Sequence, residues 1–249
     1  MVILQQVRQR GYVSFGELGD MLEVSDRTIR RDLNVLEMEG QLEVVAGGAT
    51  VGPGTFANTS FNSRSISEAD TKRELAKIAR TLVSPSDVVG IDAGTTGALV
   101  ARALVGISPL TVISHSLEVI NQFADDAGTQ LIALGGSYDT ERRAFLGPMT
   151  RLALEGLLAN VVFVSSSGVH VNAFACATQA DAEIKRAMLS IAARRVLVAT
   201  SSVFNRISPV RMVDFSGITT LITDDRLPDE ARERLQAEDV EVLTAPYSG

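Results

Sequence analysis

The clearest pattern of apolar and polar positions lies in residues 24–40, V-S-D-R-T-I-R-R-D-L-N-V-L-E-M-E-G. Apolar residues recur at the spacing i, i+4 and i+7, which places Ile29, Leu33 and Leu36 on one face of a helix. Ser25 is a good N-cap and Gly40 is a natural stop. Three polar side chains repeat at the same spacing on the opposite face: Arg27, Arg31 and Asn34.

Arginine and asparagine are side chains that read base edges in the major groove of DNA. Taken alone, the helix fits an ordinary amphipathic surface helix equally well. A second helix precedes it, because Ser14 and Glu17 form a capping box. The tight connection Glu23-Val24 joins the two, which predicts a helix-turn-helix at about residues 15–34. The apolar positions of the preceding helix are Leu18, Met21 and Leu22.

A hairpin signal follows the two helices. Gly47-Gly48 separates two apolar, β-prone runs within residues 41–51. Residues 2–10 predict one more helix, which Gly11-Tyr12-Val13 ends; it starts so close to Met1 that a start upstream stays open. A helix-turn-helix followed by a hairpin predicts a winged helix over residues 1–54, with a three-helix bundle plus hairpin as the alternative.

The remainder predicts a larger α/β domain. Residues 55–70 read as a linker, in which Phe56 and Phe61 either dock on a neighbour or belong to a plain loop, and residues 68–82 turn helical. Helices at 97–104, 116–124, 148–158, 181–193 and 229–237 alternate with near-continuous apolar runs, so residues 71–249 predict a mostly parallel sheet covered on both faces. The apolar runs are 88–91, 110–113, 130–134, 161–164, 196–199, 219–222 and 240–243.

Charge and composition limit the kinds of partner that the chain can bind. The chain has 249 residues and a net charge of -7, and residues 1–54 carry 5 arginines against 8 acidic residues. Attraction to DNA must therefore come from a few placed arginines rather than a broad positive field. One cysteine and two histidines predict no disulfide, no metal site and no cofactor. The single cysteine fits a protein of the reducing cytosol, and no signal peptide is recognisable. The longest uncharged stretch, 156–180, is interrupted by polar residues, which argues against a membrane span.

The predicted DNA-binding residues lie in the first three turns of the second helix of the motif. Arg30 and Arg31 point about 100° apart, so only one of them can enter the groove. Arg31 is expected to face bases or nearby phosphates together with Arg27 and Asn34, while Thr28 and Arg30 contact the DNA backbone from a flank. Because so few cations bind weakly, a homodimer or homotetramer is expected. The full set is Ser25, Arg27, Thr28, Arg30, Arg31 and Asn34.

Ligands of parallel α/β sheets bind beyond the carboxyl ends of the strands. The first strand ends in Asp92-Ala93-Gly94-Thr95-Thr96-Gly97, a glycine loop that opens a helix and suits a phosphate. Asp92 would repel a phosphate, so it either accepts from a sugar hydroxyl or braces the loop. The alternative is a short turn with glycine for geometry alone.

Polar residues end the next strands as well. They are the clusters Ser114-His115-Ser116, Gly135-Gly136-Ser137 and Ser165-Ser166-Ser167-Gly168. Lys185 follows on a helix and is either an anion partner or a solvated lysine.

Two sets of strings resemble the DeoR family of transcriptional regulators. The N-terminal set is V-S-F-G-E-L, the T-I-R-R-D-L core and the G-G-A hairpin; the C-terminal set includes D-A-G-T-T, L-G-G, L-G-P, K-R-A-M and S-S-x-F-N-R. The resemblance implies a repressor of sugar or polyol catabolism genes that senses a phosphorylated sugar on a fold similar to ribose-5-phosphate isomerase. It implies an effector pocket at Asp92, Gly94, Thr95, Thr96, His115, Ser116, Gly136 and Lys185.

The chain departs from the family pattern at three places. Val45 and Ala46 stand where a basic residue and a histidine often precede the glycine pair, which implies weaker phosphate contacts from the wing. Ser167 replaces an aspartate or asparagine. Val203 replaces a lysine, so the pocket loses a cation.

An aldose–ketose isomerase is the alternative function. Proton transfer between adjacent carbons needs a carboxylate base and an electrophile. Asp181 or Glu183 with Lys185 supplies candidates. Only serines end the fourth strand, and an isomerase has no use for a winged helix, so a DNA-binding regulator is the preferred prediction.

Overall fold

The computed structural model describes residues 2–10, 12–38, 41–45, 47–50, 61–66 and 68–248. The chain divides into two compact units, Met1–Thr59 and Ser60–Gly249. Each unit has an apolar core of its own. Within the described residues, no helix is long and apolar enough to cross a membrane.

The N-terminal unit is a winged helix-turn-helix. In the part of the unit that the structure describes, three strands form an antiparallel sheet in the order β1-β3-β2, beside three helices. The elements in chain order are α1 (Val2–Arg10), β1 (Tyr12–Ser14), α2 (Phe15–Leu22), α3 (Asp26–Met38), β2 (Glu43–Val45) and β3 (Gly48–Thr50).

The separation of faces predicted for α3 is confirmed. Ile29 and Leu33 are fully buried in the core of the unit, and Leu36 is half-buried against it. Ser25 caps the helix, since its Oγ accepts from the backbone N–H of Thr28 at 3.3 Å. Gly40, the predicted stop, lies outside the described residues.

The capping box that opens α2 is also confirmed. Ser14 Oγ accepts from the N–H of Glu17 at 3.2 Å, and the Glu17 carboxylate accepts from the N–H of Ser14 at 2.9 Å. Glu23 ends α2 in the left-handed conformation, and the Val24 N–H returns to the carbonyl of Gly19. The two helices are therefore joined by the tight turn that the sequence predicts.

Strand β1 is a correction to the prediction. Gly11-Tyr12-Val13 is predicted only to end the first helix, whereas Val13 pairs with Ala49 in the sheet. Three residues are too few to show a strand periodicity. A Cβ on Gly48 would lie 2.3 Å from the Val13 carbonyl oxygen, so this glycine allows β3 to approach β1.

Seven parallel strands form the main sheet of the C-terminal unit, and each of the seven predicted apolar runs overlaps one of them, with an offset of at most one residue beyond a strand end. The order is β15-β14-β12-β9-β4-β5-β6. The strands of this unit in chain order are β4 (Val88–Ile91), β5 (Leu110–Ser114), β6 (Thr129–Ala133), β7 (Ser137–Asp139), β8 (Ala144–Leu146), β9 (Ala159–Val164), β10 (Gly168–His170), β11 (Ala173–Cys176), β12 (Ala192–Val198), β13 (Val210–Asp214), β14 (Thr220–Asp224) and β15 (Glu241–Ala245).

Helices cover both faces of this sheet. Alternate residues of β9 pack into different cores, Val162 and Val164 into one and Val161 and Phe163 into the other. The helices are α4 (Phe61–Ile66), α5 (Ala69–Thr81), α6 (Thr95–Leu104), α7 (Leu117–Phe123), α8 (Pro148–Leu154), α9 (Gln179–Ser190) and α10 (Asp229–Ala237).

The switch in strand order lies at β4. The chain runs from β4 through α6 to β5 on one side, and later returns to place β9 on the other side of β4. Such a reversal opens a crevice beyond the carboxyl ends of the strands. The loops after β4, β5 and β9 meet there.

Short antiparallel elements were not predicted. β7 pairs with β8, and β10, β11 and β13 form a second small sheet. Their three to five residues leave little periodic signal. Helix α4 lies within the residues predicted as a linker, and its Phe61 is buried.

Candidate functional site

The outward face of α3 carries the predicted DNA-reading residues. Arg27, Arg31 and Asn34 are exposed and lie on the side opposite the buried Ile29 and Leu33. This geometry leaves two guanidinium groups and an amide available for base edges or phosphates. Their contacts with DNA stay a prediction.

Arg30 is engaged within the unit itself. Its guanidinium lies 3.9 Å from the centre of the Phe15 ring of α2, and its Nε donates to Asp26 at 3.3 Å. These contacts hold Arg30 at the flank of α3. The Oγ atoms of Ser25 and Thr28 lie 2.9 Å apart at the start of the helix, where their hydroxyls can also meet a phosphate.

Glu37 connects α3 to the hairpin, a contact that the sequence did not predict. Its carboxylate accepts from the backbone N–H of Val44 in β2 at 2.7 Å. The hydrogen bond holds the hairpin against α3, with the acidic side chain of Glu37 as its acceptor. The departure at Val45 lies one residue further along this strand, and Ala46 lies outside the described residues.

In the C-terminal unit, Asp92 is the centre of a buried polar network. Its Oδ2 accepts from the backbone N–H and the Oγ of Ser165, both at 3.1 Å, and lies 3.2 Å from Lys185 Nζ. Its Oδ1 lies 3.2 Å from His115 Nε2. Asp92 is 1% exposed, so the geometry favours the bracing role over contact with a sugar hydroxyl.

The charges in this network stabilise one another. Burial opposes ionisation of Asp92, but the charge of Lys185 and the hydrogen bond from His115 outweigh it and lower the pKa of Asp92 to about 2. Burial also opposes the charge of Lys185, yet Asp181 and Asp92 raise its pKa above the ordinary value. Lys185 Nζ lies 3.4 Å from Asp181 and donates to the Ser165 carbonyl at 2.9 Å.

His115 ties two loops together. Its Nδ1 lies 2.9 Å from the Phe145 carbonyl oxygen, in β8. Its Nε2 lies 3.3 Å from the N–H of Ala93. Ser116 is fully buried and caps α7 by accepting from the N–H of Val119. His115 and Ser116 therefore hold the loops around the crevice in place from the buried side.

The glycine loop lies at the mouth of this network. Gly94 has φ +107° and precedes α6, whose first residues are Thr95 and Thr96. The first N–H groups of a helix have no intrahelical partner and carry the positive end of its dipole. A Cβ on Gly94 would lie 3.8 Å from Ser165 Oγ, so the loop adjoins the Asp92 network. The geometry suits an anion.

Gly136 is closely surrounded by other atoms of the fold. A Cβ there would lie 2.1 Å from Thr150 Oγ1 and 2.7 Å from the Leu146 carbonyl oxygen, and its φ is +153°. This glycine allows the turn before β7 to pack closely against the start of α8. The structure therefore supports a packing role for Gly136, and a role in effector binding stays a prediction.

Lys72 is a site residue that the sequence analysis missed. It is 9% exposed, and its Nζ lies 3.4 Å from Thr95 Oγ1 at the glycine loop. Burial, opposed by Glu68, lowers the pKa of Lys72 to about 8. The spacing held a signal, since Lys72 lies three residues before Leu75 and seven before Ala79, on the buried stripe of α5.

Arg206 is a second missed cation. It ends the S-S-x-F-N-R string and lies 3.8 Å from Glu68. Glu68 also accepts from the hydroxyls of Thr200 and Ser202, both at 3.0 Å. Val203, the residue that replaces the family lysine, is buried in the apolar core. Lys72 and Arg206 bring positive charge to this side of the crevice.

The backbone of Ser167 and the side chain of Cys176 are both engaged within the fold. The N–H of Ser167 donates to the Ala175 carbonyl at 3.0 Å. Cys176, the single cysteine of the chain, is fully buried in β11, and its burial raises the pKa of the thiol to about 12.

Comparison with known proteins decides the family. The family model described as "DeoR-like helix-turn-helix domain" matches residues 2–52, and the one described as "DeoR C terminal sensor domain" matches residues 67–225. The chain belongs to the DeoR family. It is a DNA-binding transcriptional regulator and not an enzyme, which excludes the isomerase alternative. In the structure, Glu183 is exposed on α9, whereas Asp181 is ion-paired with Lys185.

Curated relatives of this DeoR-family chain are similar along almost the whole length. It is 31% identical to the uncharacterized HTH-type transcriptional regulator YgbI of Escherichia coli (strain K12), over 98% of this chain and 96% of the relative. It is 32% identical to the L-fucose operon activator of Haemophilus influenzae, over 96% of each chain. A putative aga operon transcriptional repressor of Escherichia coli O157:H7 is 28% identical, over 97% of this chain and 91% of the relative.

Among solved structures, ribose 5-phosphate isomerase A from Methanocaldococcus jannaschii is similar to 55% of this DeoR-family chain over 55% of its own length. The two share 18% identity with a TM-score of 0.40.

Gly97 offers a test of the loop geometry. A Cβ there would lie 2.1 Å from the Asp92 carbonyl oxygen, so we expect Gly97→Ala to force the loop and α6 apart. Overpacking of this kind costs about 1–3 kcal/mol, or about 3–10 °C in the melting temperature of a unit of this size. Thermal unfolding followed by circular dichroism measures it.

Gly135→Ala is the matched control for Gly97→Ala. An added Cβ at Gly135 meets nothing within 4 Å, so its melting temperature should stay close to that of the wild type. Equal melting temperatures for the two variants would contradict the close approach at Gly97.

Proposed function

We propose that this regulator is a repressor of sugar or polyol catabolism genes that a phosphorylated sugar releases from its operator. The observation that carries the proposal is the glycine loop at the start of α6, where Thr95 lies beside the buried ammonium of Lys72. A helix N-terminus and a cation together suit a phosphate group. The match to a sensor domain family supports the same assignment.

The polar network beneath the loop supports a sugar-sized ligand. Asp92, His115 and Lys185 hold the ends of three strands in a fixed arrangement, so the loops above them are preorganised. Preorganised loops lower the entropic cost of binding. Two relatives are named for the control of operons, the L-fucose operon activator and the putative aga operon transcriptional repressor. One of these relatives is named an activator and the other a repressor, so their names do not fix the sense of regulation. Repression is therefore part of the proposal.

DNA binding by one copy would rest on few cations, so we propose a homodimer or homotetramer acting in the cytoplasm. A symmetric dimer presents two copies of α3 to two half-sites of an operator. Sugar phosphate changes operator affinity if it binds the DNA-free and DNA-bound states with different affinity.

Two measurements on the full chain test this function. Fluorescence anisotropy with a labelled fragment upstream of its own gene should show binding at low salt. A thermal-shift screen should then find a phosphorylated sugar that stabilises the protein. At about 100 times its dissociation constant such a ligand adds roughly 2.7 kcal/mol, or about 5–10 °C.

The matching unphosphorylated sugars are the controls and should give no shift. A phosphorylated sugar that shifts the melting temperature should also weaken the anisotropy signal. Absence of DNA binding at low salt would sink the regulatory half of the proposal. A screen in which no phosphorylated sugar binds would sink the sensor half.

A further inference from the structure

Lys72 connects its own helix to two others through one ammonium group. It lies on α5, its Nζ donates to the carbonyl of Arg64 on α4 at 2.8 Å, and it lies 3.4 Å from Thr95 Oγ1 at the start of α6. An ammonium has three protons and no fixed fork, so it can exchange one acceptor for another by rotating its side chain. Lys72 is therefore placed to respond to a ligand at Thr95.

Helix α4 is held at its two ends by different contacts. Phe61 is buried and lies 5.5 Å from the guanidinium of Arg143, at the start of β8. Near the other end, the carbonyl of Arg64 is the acceptor for Lys72. A six-residue helix has little stability of its own, so contacts of this kind determine whether it stays folded.

The side chain of Arg64 adds an unfavourable contribution to this arrangement. Burial and the nearby charge of Arg142 lower the pKa of Arg64. Its Nε is buried without a hydrogen-bond partner. A buried, unpaired donor raises the free energy of the folded helix. The bond from Lys72 thus offsets a cost that α4 carries in the ligand-free protein.

A phosphate group competes well for the Lys72 ammonium. The phosphate oxygens carry negative charge, so the ammonium gains a Coulombic attraction that the neutral carbonyl of Arg64 does not offer. Phosphate bound at the N–H groups of α6 lies next to Thr95, within the reach of the lysine side chain. Glu68 is fixed by Thr200, Ser202 and Arg206, so the backbone at the start of α5 need not move.

We propose that Lys72 couples the effector site to α4: a phosphate group beside Thr95 draws the ammonium away from the Arg64 carbonyl, and α4 loosens. The inference rests on the proposed function, because it requires an anionic effector at the glycine loop. Helix α4 begins at Phe61, and the N-terminal unit ends at Thr59. The coupling thus runs from the effector site to the first helix of the C-terminal unit.

Hydrogen exchange followed by mass spectrometry tests the coupling on the full chain. The samples are the wild type, Lys72→Met and the control Lys77→Met, each with inorganic phosphate or with chloride at equal ionic strength. Lys77 lies on the same helix, is exposed and pairs with Glu74, so its loss removes a similar charge far from Thr95. Thermal shift measures phosphate binding in the same samples.

Phosphate should speed exchange in α4 of the wild type by roughly tenfold, as expected for losing one hydrogen bond to a charged group. Lys72→Met should show this faster exchange already in chloride, should not respond further, and should bind phosphate at least tenfold more weakly. Lys77→Met should behave as the wild type.

Two results would overturn the coupling alone. One is a wild type that binds phosphate without any change in α4 exchange, and the other is a Lys72→Met variant that binds phosphate as tightly as the wild type. The wild-type samples decide the first of these even if Lys72→Met does not fold. A wild type that binds neither phosphate nor any phosphorylated sugar would overturn the sensor function and this coupling together.

Discussion

Arg31→Ala is expected to abolish detectable operator binding while leaving effector binding intact. Arg31 is exposed on α3, on the face opposite the buried Ile29 and Leu33. One bidentate arginine–guanine pair contributes about 1–3 kcal/mol of discrimination, and a symmetric dimer loses two of them. The operator affinity should therefore fall at least about thirtyfold, which anisotropy at a fixed salt concentration measures.

Three features make this variant informative. Alanine is the best helix former, so α3 should stay folded. Arg102→Ala, at an exposed position of α6 in the other unit, removes the same charge and should leave operator affinity unchanged. Arg30→Ala removes the contact with Phe15, so it should lower the stability of the N-terminal unit as well as DNA affinity. Retained operator affinity in Arg31→Ala would show that DNA meets another face of α3.

Lys185→Met is expected to destabilise the C-terminal unit more than any exposed substitution. It leaves the buried carboxylate of Asp92 and the nearby Asp181 without their shared cation. Breaking a buried ion pair from one side costs about 3–5 kcal/mol, or roughly 6–20 °C in melting temperature. Thermal unfolding followed by circular dichroism suits a chain without tryptophan.

The double variant Asp92→Asn with Lys185→Met is the control for charge. Because it removes both partners, it should recover part of the lost stability, and the sum of the two single effects should exceed the double effect. Strictly additive losses would contradict the coupling between these two groups.

The pH dependence of stability gives a second measurement of the role of Asp92. Its pKa falls from the ordinary value of 3.8 to about 2 in the folded protein, so the unfolded chain takes up the proton first. The stability from Asp92 is present above pH 3.8 and is lost as the pH falls towards 2. Asp92→Asn should therefore lose less stability than the wild type across this interval.

Much of the architecture was predictable because its signals are local. The seven main strands are β-branched apolar runs that end in glycine or polar residues, such as Val88–Ile91 before Asp92. The α3 stripe is a spacing within one helix. β1 and β7 have three residues each, too few to show a strand periodicity, and the partner of β1 is also distant in the chain.

The candidate site was predictable in part for a related reason. Parallel strands bring their carboxyl ends to one edge, so the loops at Asp92 and His115 were expected to come together, while only the family resemblance added Lys185; the structure brings all three side chains together. The individual contacts were not predictable. The spacing along α5 places Lys72 on the buried stripe, but only the packing of α5 against α6 shows that its ammonium lies beside Thr95.

The burial of Cys176 limits the kinds of signal that this regulator detects. Oxidants and alkylating agents react with an accessible thiolate, and here the thiol is both enclosed and held protonated by a pKa of about 12. With no second cysteine in the chain, an internal disulfide cannot form either. Cys176 is therefore not placed to sense the redox state of the cell. A single cysteine placed by design on α3 could be labelled there alone in the folded chain.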